Sequence, residues 1–360
     1  NTAVGADSLG AQTTASNNVA LGYNAMAATT TGYTNVVIGS GAMDIATTAN
    51  NNIVIGYDAH QQATTGDGNI AIGKEALQTL AGAYHNNVAI GFNAMKVTTG
   101  DTGNIAIGAY ALDGYNSRST TQCTAVGFQS MSGALAGYGN TAFGDNTMYV
   151  ASSAFENTCV GRSALVALTT GDNNTAVGSY AGNTTTTGTG STLIGYNCEA
   201  GGVGDNYCNG FGYDIVASGG YTVVGQAAND IRAAHGVATW ATVSDERYKK
   251  DIVDSAAGLN FINALQPRTF KYKTLGELPE TFRAYKADST EVYKSSQTQH
   301  GFIAQEVKAA IDADDSIKDG FRLWDDREDG SQEVAESALI PMLVNAIQEL
   351  SAKVKALEDA

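Results

Sequence analysis

A glycine recurs through the first two thirds of this chain at a nearly fixed interval, and that spacing limits the available folds more than any other feature. Gly5, Gly22, Gly39, Gly56, Gly73, Gly91, Gly108, Gly127, Gly144, Gly161, Gly178, Gly195 and Gly212 follow one another every 17 residues, apart from one gap of 18 and one of 19. Most close a phrase such as Asn86-Asn-Val-Ala-Ile-Gly91. A fixed period of this length marks structural units stacked on one another. Units so short leave no room for a helix pair, and they are rich in Gly, Thr and Asn, which disfavour helix interiors. The stack is therefore expected to be β.

Each unit reads as two short strands around the glycine. In Asn86–Met95, Val88 and Ile90 alternate onto one face, while Ala94 and Met95 offer a second small apolar patch past the bend. Gly91 marks the corner, where the lack of a Cβ suits a sharp bend or a close approach between coils. Stretches such as Thr98–Asp101 and Thr169–Asp172 then turn the chain into the next coil. The product is a β-roll or β-prism rod over residues 1–233, about 60 Å long if each coil advances by one strand spacing. Coils filled by Ala, Val and Ile bury little on their own, so three chains around an axis are expected.

The phrase is similar to the NSVAIG-type head repeats of YadA-like trimeric adhesins, and closer still to the NNVAIGYNAL-type arrays of phage tail fibres. This likeness covers residues 1 to about 230 and carries no ligand assignment. Asp67, Asp101 and Asp172 lack the alternation of a calcium loop and read as turn caps. Gly188-Thr-Gly190 is too short for a phosphate loop. His60 and His85, in loops beside polar residues, are expected at the surface. Cys123, Cys159, Cys198 and Cys208 show neither zinc nor disulfide spacing and read as buried free thiols. Tyr23, Tyr33, Tyr57, Tyr84, Phe92, Tyr110, Tyr115 and Phe128 admit two readings, a repeated packing residue or a ladder that stacks on sugar rings.

At Ser244 the composition changes. Only five of the 20 basic residues precede it, and all three prolines follow. A linker over 234–243 is expected to lead into an α+β domain over 244–360. Residues 254–265 suggest a helix ended by Pro267, 268–273 a strand, 274–297 a polar loop, and Gly301–Val307 the approach to another helix. Ile340, Leu343, Ile347, Leu350, Val354 and Leu357 are spaced 3, 4, 3, 4, 3, the seam of a coiled coil over 339–358. The same residues would also serve an amphipathic helix packed on its own domain.

The stretch Ser244-Asp-Glu-Arg-Tyr-Lys-Lys-Asp-Ile252, the segment Leu265–Tyr272, His300-Gly-Phe-Ile-Ala-Gln-Glu-Val307 and the terminal heptads together resemble the endosialidase-type intramolecular chaperone domain, the peptidase S74 family. The resemblance implies a C-terminal domain that trimerises, assists folding of the β-structure before it and then cuts itself off. It places the scissile bond at Val243–Ser244, with Ser244 as nucleophile, Lys249 as its dyad partner and His300 as the motif histidine. Taken by itself, this stretch reads first as a helix start with Ser244 as its N-cap, and only the resemblance of the whole domain turns the reading toward cleavage.

The fold expected is thus mainly β, a trimeric rod followed by an α+β chaperone domain and a trimeric coiled coil. The function expected is that of a phage tail fibre or spike in the virion, made in the host cytoplasm. Its partners are two further copies, a host-surface receptor that includes glycans among its candidates, and other tail proteins on the side preceding Asn1, where the chain opens within a repeat. The alternatives are a bacterial surface adhesin without autoproteolysis and a glycan-degrading spike. A formal charge of -16 argues against nucleic acid. No apolar run approaches the ~20 residues of a membrane span, and neither a cofactor nor a metal is expected.

Overall fold

The structure, a computed structural model, describes every residue except 63, 81–82, 99–101, 114–119, 134–136, 238, 243 and 319–322. The chain divides into two compact units, Asn1–Ser244 and Asp245–Ala360.

The first unit is a β-solenoid. A short strand ends just before each hinge glycine from Gly5 to Gly195, and these strands stack in chain order with three further ones into a fifteen-stranded sheet. Pairing is parallel until the last strand, Asn229–Ala234, which folds back antiparallel on Tyr221–Gln226. Register carries each phrase onto the next: Val36 faces Ile53, Ile53 faces Ile70, and Ile70 faces Val88. Gly91 combines both uses of a missing side chain. Its φ is +139°, and a Cβ there would lie 2.5 Å from the carbonyl oxygen of Gly108 in the following coil.

One expectation is corrected. The second strand of each unit is generally absent, because the second and fourth residues past the hinge adopt left-handed backbone, as at Asn24 and Met26 (φ 57° and 54°) or Asn93 and Met95 (56° and 47°). Such residues turn the chain instead of extending it. The apolar alternation is real, but Val88 and Ile90 face outward and Ala89 faces in. The pattern recurs in Val19–Leu21, Val36–Ile38 and Ile53–Ile55, whose outer side chains remain 36–45 % exposed. Inside, the strand's small residue meets an alanine and a Met or Leu from the turn, as in Ala89, Ala94 and Met95. The coil interior is too thin for more.

What the interior lacks in apolar bulk it partly recovers in hydrogen bonds. In most coils from Asn18 to Asn174 the residue preceding the strand is a buried asparagine, and these side chains form a ladder along the stack. Asn35 Oδ1 accepts from the backbone N of Asn52 at 3.0 Å and from its Nδ2 at 3.0 Å, while Asn52 Nδ2 also donates to the Gly66 carbonyl at 2.8 Å. Asn52 Oδ1 then accepts from Asn69 in the same way. Replacing Asn52 by Ala strands two donors on Asn69, and a buried unsatisfied group costs ~1–3 kcal/mol. Asn52→Asp keeps the shape but turns a carboxylate oxygen toward the Gly66 carbonyl. Thermal melts are expected to show both variants destabilised, the isosteric aspartate at least as much as alanine; a silent N52D would remove the ladder's energetic role.

His60 departs from its expected surface position. It is fully buried in the column occupied by Met26, Met43, Leu77 and Met95 in neighbouring coils, and neither ring nitrogen has a hydrogen-bond partner among the described residues. Burial pushes its pKa down to about 4. Protons therefore bind the unfolded chain preferentially between pH ~4 and ~6.5, and stability falls as pH drops through that window. The loss amounts to about 3 kcal/mol per chain once complete. His60→Met should flatten this acid limb in melts recorded from pH 7 to 4; an unchanged profile would place the titrating group elsewhere.

Asp67 and Asp172 do cap turns, but across coils. Asp67 Oδ1 accepts from the backbone N of Asn50 at 2.8 Å, and Asp172 Oδ1 from that of Phe155 at 2.9 Å. Asp101 lies outside the described residues. All four cysteines are buried free thiols, and burial pushes Cys159 above the usual thiol range and Cys198 up to about 11. Such thiols are poor nucleophiles at neutral pH.

The second unit is α+β. Helix α1, Leu259–Ala264, is shorter than expected from sequence. The Asn345 amide donates to the carbonyls of Ser255 and Ala257, both at 3.0 Å, and so takes up acceptors that an earlier helical turn would use. Strand Arg268–Phe270 pairs antiparallel with Gln299–Gly301, which leads into α2, Ala304–Asp312. A hairpin of Trp324–Asp326 and Gln332–Val334 precedes α3, Ile340–Glu358. The core joins Ala257, Phe261 and Leu265 to Val307, Ile311, Leu323 and Leu339.

Helix α3 presents two faces. Asn345, the buried Ala346 and Glu349, which accepts from the Leu259 backbone N at 3.3 Å, hold it to its own domain. Ile340, Leu343, Ile347, Leu350, Val354 and Leu357 lie on the other side and stay exposed.

Candidate functional site

The residues at the unit boundary form a single 3₁₀ turn, Glu246–Tyr248. Its cap is Asp245, whose carboxylate accepts from the Arg247 backbone N at 2.9 Å and takes the Arg247 guanidinium in a bidentate pair at 2.9 and 2.6 Å. That guanidinium holds the Asp245 carboxyl below the usual carboxylate range. The N-cap reading for Ser244 is thereby corrected, since the adjacent aspartate has the shorter reach and the charge to do the work. Ser244 closes the first unit and Lys249 closes the turn, its backbone N donating to Glu246 O at 2.9 Å. Val243 lies outside the described residues.

Ser244 and Lys249 are both exposed in the single chain. A serine hydroxyl needs a base to become nucleophilic, and an ammonium serves as one only when removed from water. The chain alone leaves both groups wet.

His300 stands on a different element. It is the central residue of Gln299–Gly301, opposite Thr269, and lines an open cleft in the second unit with Phe270, Tyr272 and Tyr293. The three rings meet edge to face at 5.5 and 5.8 Å, and the Lys294 ammonium lies over Tyr272 and Tyr293 at 5.5 and 5.3 Å. This aromatic cluster escaped the sequence reading, which treated 274–297 as polar loop; the alternation of Phe270, Tyr272 and, across the loop, Tyr293 was its only signal.

In the rod, Tyr23, Tyr33, Tyr57, Phe92 and Phe128 are exposed, and Phe92, Tyr110 and Phe128 touch in sequence. Tyr115 and the side chain of Tyr84 lie outside the described residues. Among the described residues, no cluster of three His, Cys, Asp or Glu is placed to hold a metal, and no helix is long and apolar enough to cross a membrane.

Residues 244–315 match the family model described as chaperone of endosialidase, Peptidase S74. The match begins at the last residue of the first unit and runs through the His300 strand and α2. The chain therefore carries, after its β-solenoid, a segment similar to the chaperone of endosialidase. Searches of curated proteins and of solved structures found no match.

Proposed function

We propose that three copies of this chain form a fibre or spike of a phage virion that attaches to a host surface, and that the C-terminal domain aligns the chains, promotes folding of the rod and then releases it by cutting Val243–Ser244. One observation carries the assembly: among the described residues each unit exposes a periodic apolar seam, the outer strand face of the solenoid and the outer face of α3. Two such seams in one chain call for the same occupant, further copies of that chain. Mixed Ile, Leu and Val in the α3 seam are compatible with three strands.

The chaperone has a physical reason to exist. Slipping one rod past another by a whole coil preserves nearly every local contact, so the array has no register of its own. Helices that associate first, beyond the end of the array, start all three chains from the same coil. Their removal afterwards takes away the way back, and the rod persists kinetically.

For the cut, assembly would take Ser244 and Lys249 out of water. Neutral Lys249 accepts the hydroxyl proton as Ser244 Oγ attacks the Val243 carbonyl carbon. The amine of Ser244 leaves with a proton as the acyl group moves to oxygen, and water hydrolyses the ester. Expressed intact, the chain should give fragments of about 243 and 117 residues, counted from the sequence on either side of the bond. Ser244→Ala and Lys249→Gln should both remain whole. If Ser244→Ala is cut as fast as the parent chain, the catalytic assignment fails. A heat-resistant band of the larger fragment at three times its mass tests the assembly separately.

A further inference from the structure

We propose that the row Tyr57, Lys74, Phe92, Tyr110 and Phe128, exposed but for the half-buried Tyr110, is a binding track for an extended neutral polysaccharide. The proposal rests on the attachment function proposed above and names the ligand class and the surface that would take it. The row advances one residue per coil over five coils. Lys74 Nζ sits 5.8 Å from the Tyr57 ring centre and 5.7 Å from that of Phe92. Phe92 and Tyr110 then meet edge to face at 5.2 Å, and Tyr110 and Phe128 at 6.1 Å.

Because Tyr110 stands perpendicular to both neighbours, at 81° and 88°, it props apart two rings that occupy the same repeat position two coils apart. Phe92 and Phe128 keep 40 and 49 % of their surface exposed, and Tyr57 53 %. Residues placed only to pack their own coil would not leave so much ring in water. Sugar rings offer flat C–H faces that lie on aromatic rings, and a polymer whose alternate units present the same face matches rings recurring every second coil. The rod holds the rings in place before binding, so little order is lost on contact.

Charge decides between kinds of polymer. Asp58 directly follows Tyr57, Glu75 follows Lys74, and Asp145 takes the ring position one coil beyond Phe128 and ends the row. Glu75 already pairs with Lys74 at 3.2 Å and with Lys96. The cations are thus engaged, and carboxylates remain to accept from sugar hydroxyls while repelling a polyanion.

The test uses the full chain carrying Ser244→Ala, run in native gels containing hydroxyethyl cellulose, galactomannan or, as the polyanion, hyaluronate. Retardation by at least one neutral polymer and not by hyaluronate is expected, with affinity about tenfold weaker in the Phe92→Ala/Phe128→Ala variant. No retardation of the parent by either neutral polymer, equal retardation of the variant, or stronger retardation by hyaluronate would each overturn the track. So would loss of the assembled species in the variant, which would make the rings contacts between copies. The fragment and heat-resistance gels report on assembly and cleavage independently, so either proposal can fail alone.

Discussion

Gly91→Ala should prevent the rod from reaching its native stack. The new methyl would sit 2.5 Å from the Gly108 carbonyl oxygen, a backbone atom of the following coil's own hinge, at a φ of +139° that L residues rarely adopt. Neither partner can rotate away. Parting the two coils would break the strand pairing on both sides, so a loss of more than about 4 kcal/mol per chain is expected, with each chain of an assembly carrying it. Gly220→Ala is the matched control. Its φ is +76°, yet no atom lies within 4 Å of the added methyl, and only the strain of left-handed backbone, ~1 kcal/mol, should appear. Soluble yield and melting temperature of the two variants check the claim. A Gly91→Ala rod as stable as the Gly220→Ala rod would mean that the coils are not in contact at the hinge.

A charge in the outer strand face should abolish assembly while sparing the single coil. Ile55 and Ile90 point away from their own interior, so lysine at both positions can be solvated in a lone chain. In the proposed trimer the same side chains would bring six ammonium groups into an apolar seam, and an unpaired buried charge costs several kcal/mol. The Ile55→Lys/Ile90→Lys protein should migrate as a monomer on an unheated gel. Its far-ultraviolet spectrum should retain β-structure, and the pair Ile55→Val/Ile90→Val should assemble normally. Heat-resistant trimers in the lysine variant would show that another face joins the copies.

The period of the glycines was enough to read a stacked β structure. It was not enough to orient the strands. Alternation in Val-Ala-Ile establishes two faces without saying which is inside, and the habit of placing larger apolar residues inward fails here because the coil has room only for Ala89 while Val88 and Ile90 stay on the outer face. The asparagine ladder was present as the repeated Asn before each strand, but its bonds exist only when coils stack in register, so a single unit read alone shows a turn residue. His60 carried a stronger signal: it falls 17 residues after Met43 and 17 before Leu77, in a column of buried apolar side chains. Local polarity had suggested a loop on the surface, and the repeat position overruled it. At the junction the motif residues were legible, whereas the capping role of Asp245 depended on geometry that spacing does not fix.

One interruption in the asparagine ladder has a mechanical meaning. Asn104 Oδ1 accepts from the backbone N of Cys123 at 2.9 Å, but Cys123 has no amide oxygen to offer the next coil, and the ladder resumes only with Asn140 and Asn157. The longest gap between hinge glycines, 108 to 127, spans the same place. A fibre tugged along its axis shares the load among coils until the least braced joint yields. At Cys123 the brace to the next coil is a thiol donating to the Gly137 carbonyl at 3.8 Å in place of an amide pair, so this joint is expected to part before its amide-linked neighbours.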